Sequence, residues 1–174
     1  DACFAKARVF QAGGNEVLGD APSKMLEEAA QNALVRLYPN FCEADHLKWH
    51  KVFERAREGA LDALRAVEYD GKSESHPVCR ALLNAMGGGK KGAEIRSAFE
   101  APPYGWPRDA IDGGLAVLLV CGLIRGQNEQ GKAVEGHALD RSAMGKTLFR
   151  VESATVSALQ RTQIRSLLQQ ADIS

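Results

Sequence analysis

Apolar residues recur at helical spacing in six stretches of this chain, separated by short polar, glycine-rich or proline-rich breaks. The first stripe is Leu26, Ala29, Ala30, Ala33, Leu34 and Leu37, with Asp20 or Ser23 placed to cap it and Pro39 to end it. The second is Trp49, Val52, Phe53 and Ala56, capped by Asp45 and broken at Gly59, with Leu61, Leu64 and Val67 as a shorter continuation. Pro77 opens a third helix (Val78, Leu82, Leu83, Met86), which Gly87-Gly88-Gly89 stops. A short amphipathic piece follows (Ile95, Ala98, Phe99), then a longer helix with Ile111, Leu115, Leu118 and Leu119 inward. Pro107 suits its first position, Asp109 suits the positive end of its dipole, and Gly122 ends it. The last stripe is Val156, Leu159, Ile164, Leu167, Leu168 and Ala171, capped by Ser153 or Thr155.

Between the helices the apolar pattern shortens to strand-like pieces. Val9-Phe10 and Val17-Leu18 flank Gly13-Gly14-Asn15 as a hairpin, which must pack on a neighbour because a lone hairpin is marginal in water. Leu123-Ile124-Arg125 and Lys132-Ala133-Val134 flank Asn128–Gly131 as a second hairpin, with Lys146–Val151 as a third strand beside it. The fold class expected is mainly α with small β hairpins. Helix, turn, helix and hairpin outline a winged helix-turn-helix lobe over 73–174, preceded over 1–72 by an N-terminal β-hairpin and helical lobe. The polar run Tyr69–Ser75 (YDGKSES) is the expected boundary.

Two features of that second lobe bear on function. In the rigid turn Pro102-Pro103-Tyr104-Gly105-Trp106-Pro107, the prolines and glycine fix the angle. Its aromatics either plug the core or offer a stacking platform to a base, and the packing role is the favoured reading. On the helix after it, the positions left facing outward are Arg108, Asp109, Asp112, Gly113 and Ala116. A groove-reading helix presents Arg, Lys, Asn or Gln to base edges, and phosphates repel carboxylates. Glycines at 113 and 114 cost a helix about 1 kcal/mol each relative to alanine, which makes sense where another backbone comes close. This face is therefore expected to meet protein, within the domain or in a partner. DNA contact falls to backbone clamps at Lys90, Lys91, Arg96, Arg125, Lys132, Lys146 and Arg150, weak and without sequence preference.

Composition narrows the picture further. The 174 residues are 45% hydrophobic, enough for a real core, and the 22 basic side chains balance 22 acidic ones, so no global field draws the chain onto nucleic acid. The chain opens on Asp1 rather than Met, as expected of a piece of something longer. It has no charged-then-apolar leader and no apolar run long enough to span a bilayer. The four cysteines (Cys3, Cys42, Cys79, Cys121) lack CxxC spacing and sit in or beside apolar stretches, as reduced, buried thiols of a cytoplasmic protein do. Gly87–Gly92 superficially matches a phosphate loop but follows a helix and lacks the Ser or Thr after the lysine. Cys42, His46 and His50 recur every four residues, yet no further cluster completes a zinc site. No nucleophile elbow or carboxylate pair with a companion base is present, so neither an active site nor a cofactor or metal is expected.

The string Ala101–Gly113 (APPYGWPRDAIDG), with Gly92, Glu94, Ile95 and Arg96 before it, resembles the C-terminal region of the large P-loop ATPase of BREX phage-defence systems (the BrxC/PglY type). Ala33–Phe41 (ALVRLYPNF), His76–Cys79 (HPVC) and Phe149–Ser153 (FRVES) fit the same region, so the resemblance spans most of the chain. The family's nucleotide-binding motifs have no counterpart here. The resemblance therefore implies a non-catalytic accessory domain that positions a larger antiphage ATPase on DNA or on partner subunits. Its partners would be the rest of the parent ATPase and other defence-system subunits. The alternative is a protein-interaction module without nucleic-acid affinity. A free-standing transcriptional regulator is weakened by the missing start methionine and the acidic helix face.

Overall fold

The structure is a computed structural model that describes residues 7–152 together with Gln163, Ser166 and Leu167. The protein is mainly helical, with small antiparallel sheets. Its centre is helix α5 (Arg108–Val120), in which every residue from Ala110 to Leu118 is buried. Asp109 lies in its first turn, and at its end Gly122 and Leu123 donate their N–H groups to the carbonyls of Leu119 and Leu118. Pro107 is the residue before the helix rather than its first member.

Three helices enclose α5. Helix α2 (Trp49–Arg57) makes its most extensive contact, and α3 (Pro77–Met86) and α4 (Gly92–Glu100) cover the remaining sides. The expected inward set Trp49, Val52, Phe53 and Ala56 is buried in full. Close approach explains Gly113: a Cβ there would stand 3.1 Å from the Trp49 ring and 3.3 Å from the Trp49 carbonyl oxygen. The close contact expected at this glycine is thus made inside the chain. Because α2 precedes Tyr69–Ser75 and α5 follows it, that segment does not separate two cores. Trp49, Val52, Phe53 and Leu64 belong to one apolar cluster with Val78, Leu82, Ile95, Phe99, Ile111, Leu115 and Leu118. Ser73 is itself buried.

Strands β3 (Lys90–Lys91), β4 (Ile124–Gln127), β5 (Ala133–Val134) and β6 (Leu148–Val151) form a sheet in the order β3-β6-β4-β5, antiparallel throughout. The expected hairpin and third strand are present, and Asn128 closes the turn by accepting the N–H groups of Gln130 and Lys132 on its side-chain oxygen. Lys90–Lys91, read from sequence as part of a flexible stop, is an edge strand. Side chains alternate across the sheet: Ile124, Gly126 and Phe149 are buried against the helices, whereas Arg125 and Arg150 are exposed. A short helix, α6 (Arg141–Met144), lies between β5 and β6.

The N-terminal part departs most from expectation. Helix α1 (Pro22–Leu37) starts after Ala21 with Pro22 in its first turn, and neither Asp20 nor Ser23 caps it. Only Met25 is buried, against the hairpin of β1 (Val9–Phe10) and β2 (Glu16–Val17), whose Val17 is also buried. The hairpin's neighbour is therefore α1. Leu26, Ala30, Ala33, Leu34 and Leu37, expected inward, are exposed. Likewise α2 begins at Trp49 without a cap from Asp45, and Leu61 is exposed while Leu64 is buried. The terminal helix expected from Ser153 to Ala171 falls outside the described residues, apart from Gln163, Ser166 and Leu167, which are helical and exposed.

Candidate functional site

The face of α5 expected to meet a partner is closed within the chain. Asp112 is 1% exposed, and Gly113 and Ala116 are buried with it, so none of the three is an interface residue. The reason is α2, which covers the side that a lone helix-turn-helix would leave open. Asp112 accepts two hydrogen bonds from Arg96, Nε to Oδ1 at 2.8 Å and Nη2 to Oδ2 at 2.7 Å. The same Nη2 donates to the Arg141 carbonyl oxygen at 3.2 Å. Arg96 is thus a structural strut and not a free DNA clamp. Asp109 pairs with Arg141, whose guanidinium lies 4.8 Å from the Phe53 ring centre. Arg108 remains exposed, paired with Glu100 at 2.8 Å, and this neighbour raises the Arg108 pKa through a hydrogen bond and direct attraction.

The proline–aromatic turn is a packing device. Trp106 is 1% exposed, stacks on Phe99 at 4.8 Å and 11°, and donates its indole N–H to the Asn40 carbonyl oxygen at 2.8 Å. Tyr104, half-buried, tilts against both rings. The Pro102–Pro103 bond is cis, and the Pro103 carbonyl accepts the Asn40 N–H at 3.2 Å. The turn therefore bolts the segment after α1 onto α4, and Trp106 is unavailable for stacking on a base.

The remaining basic candidates gather at the sheet. Arg125 and Arg150 are register partners on β4 and β6, and Lys91 sits opposite Leu148 on β3. None of the three has an ion-pair partner among the described residues. Lys90 is half-buried, Lys132 is exposed beside the hairpin turn, and Lys146 lies 3.9 Å from Glu129. The sequence named these residues singly, but the pairing of the two arginines follows from strand register alone.

The other chemical candidates disperse. Cys42 is exposed in the 3-10 turn Phe41–Glu43, contrary to the expectation of burial. His46 accepts the Lys48 N–H outside any helix, and His50 lies in the first turn of α2, so the every-fourth spacing does not share one helix. Among the described residues, no group of three or more His, Cys, Asp or Glu side chains could hold a metal. Cys79 is buried, which pushes its thiol up to about 12, and Cys121 is half-buried; Cys3 lies outside the described residues. Among the described residues, no helix is long and apolar enough to cross a membrane.

His76 had drawn no role from its chemistry. Its Nδ1 accepts the Val78 N–H at 3.2 Å, capping α3, and its ring lies edge-on to Trp49 and Tyr69 at 5.5 and 4.7 Å. Burial lowers its pKa from 6.5 to about 4. A histidine held neutral by folding adds stability that is fully present above pH 6.5. That contribution is lost as pH falls toward 4, on the order of 2 to 3 kcal/mol for a shift of this size. His76→Asn, which keeps a capping acceptor but cannot titrate, should flatten the stability profile in that window relative to wild type. Urea unfolding at a series of pH values checks it, and identical slopes in the two proteins would refute it.

Helix α1 carries the one large apolar surface left open on the described part of the chain. Leu26, Leu34, Val35 and Leu37 are 58%, 57%, 66% and 50% exposed. No family model, curated protein or solved structure matches this chain.

Proposed function

We propose that this chain is a non-catalytic accessory domain, built on a winged helix-turn-helix scaffold, that positions a larger BREX-type antiphage ATPase. The scaffold reading is supported by the succession α3, β3, α4, α5, β4, β6, with β6 lying between β3 and β4. The observation that carries the functional reading is the enclosure of α5. Its middle is buried on all sides and Asp112 is bound by Arg96, so the helix has no side chains to offer base edges. Nucleic acid is then met only through backbone phosphates, weakly and without sequence preference. No lysine stands in a phosphate-cradling frame with a metal-binding hydroxyl, so the isolated chain should neither bind ATP tightly nor hydrolyse it. Calorimetry showing micromolar nucleotide affinity, lost on Lys90→Ala, would refute the non-catalytic reading.

A second reading, a protein-interaction module without nucleic-acid affinity, is favoured by the open face of α1. Exposed apolar patches rimmed by polar residues mark interaction surfaces. Leu26→Glu with Leu34→Glu should leave the melting temperature of the chain unchanged, since both side chains are solvent-facing. In the full-length ATPase the pair should weaken assembly with partner subunits and spare ATP hydrolysis. Intact assembly in that variant would remove the support that α1 gives to partner docking.

A further inference from the structure

Like charges set directly opposite each other on adjacent strands destabilise a sheet unless something neutralises them. Arg125 on β4 and Arg150 on β6 are such a pair. Both are exposed, and neither has a carboxylate within ion-pair distance among the described residues. Glu152, two residues along from Arg150, pairs with neither; its backbone N–H goes to the Leu123 carbonyl.

Arg150 is also held in place. Its stem lies across Gly89, where φ is +128° and a Cβ would come within 2.8 Å of the Arg150 Cγ and 3.0 Å of its Nε. Only glycine leaves room for the arginine to cross there. Next to it, the edge strand β3 adds Lys91, whose register partner Leu148 puts it on the same side of the sheet as Arg125 and Arg150. Gly87 and Gly88, just before, have open space where side chains would be. Two guanidiniums, one ammonium and a bare glycine backbone thus share one sheet face.

We propose that this outer sheet face is a phosphodiester-binding surface for duplex nucleic acid. Arg125 and Arg150 together hold one backbone phosphate by their planar N–H forks, and Lys91 meets a neighbouring phosphate. Phosphate fits better than a peptide carboxylate chain. The face is a flat row of cations without an apolar pocket to seat a side chain, and the arginine fork matches phosphate oxygens bidentately. The site deepens the reading of weak backbone contact above and depends on it. It moves the contact from the hairpin tip, where Lys132 and the Glu129-paired Lys146 lie, to the strands themselves.

The test is fluorescence anisotropy of the whole chain with a short labelled DNA duplex of mixed sequence, titrated between about 50 and 200 mM salt. Arg125→Gln with Arg150→Gln should weaken binding at least tenfold and make the slope of log K against log salt shallower by about two, one unit per lost phosphate contact. Lys132→Gln with Lys146→Gln should change affinity less than about threefold. Because like-charge repulsion is relieved, the double arginine variant should melt no lower than wild type, which keeps the readout free of misfolding. If the hairpin-tip variant loses binding and the arginine variant does not, this site is wrong while the accessory reading stands. Absence of duplex binding at the lowest salt removes both this site and the DNA-positioning role, leaving the interaction module. Displacement of the duplex by polyglutamate at equal charge concentration would mean the face binds acidic protein instead, and overturns the assignment.

Discussion

Trp106→Ala is expected to lower the stability of the whole described fold by about 3 to 5 kcal/mol, the range for removing a large buried aromatic. Three losses combine. The indole is 1% exposed, so its removal leaves a cavity among Phe99, Tyr104 and their neighbours. The stacked contact with Phe99 is lost. The Asn40 carbonyl, which accepts the indole N–H at 2.8 Å, loses that partner in a part-buried place. Trp106→Phe isolates the last term: it keeps a ring against Phe99 and should cost less than the alanine variant. Because the apolar cluster runs without a break from α2 through α5, the alanine variant should still unfold in one transition at a lower denaturant midpoint. A melt matching wild type would mean the ring does not plug the core, and a second transition would mean the residues before and after Tyr69–Ser75 unfold separately.

The sequence was most informative where a helix buries one stripe. The inward sets of α2, α3 and α5 follow from spacing at 3.6 residues per turn, and most of those residues are buried. Spacing fails for α5's other side, because periodicity shows which face is apolar and not whether a second element covers the polar one. Asp112 reads as exposed for that reason; its partner Arg96 lies sixteen residues away, on a different helix. The converse error occurs at α1, whose stripe of leucines and alanines predicts burial but finds only a two-stranded hairpin to pack on. Glycine was the better guide. Gly113 signalled a close approach, and the Trp49 it meets had been assigned to the inward face of α2. The candidate sheet site was legible only as separate basic residues, since the opposition of Arg125 and Arg150 depends on a register set by the hairpin and on β6 returning between β3 and β4.

Asp112→Ala should destabilise the protein by about 3 to 5 kcal/mol, the usual cost of stranding one member of a buried ion pair. The Arg96 side chain is 15% exposed and Asp112 1%, so neither charge can recover its hydration without moving. The magnitude does not come from the pair's attraction, which is largely offset by desolvation; it comes from the guanidinium left behind. Arg96→Met added to Asp112→Ala should therefore cost no more than Asp112→Ala alone, because the stranded charge is gone. Simple addition of the two single costs would show that the residues are not coupled and that the bidentate contact does not hold in solution. The strut also reaches the segment between β5 and β6: Arg96 donates to the Arg141 carbonyl, and Arg141 in turn binds Asp109 and covers Phe53. Loosening at Arg141 should thus accompany the loss of Asp112, seen as faster amide exchange over Arg141–Met144 than elsewhere in the sheet region. Duplex affinity, measured at a temperature where Asp112→Ala remains folded, should be unchanged, since no phosphate contact involves α5. A fall in affinity without unfolding would put Asp112 at the nucleic-acid surface and contradict the enclosure of that helix.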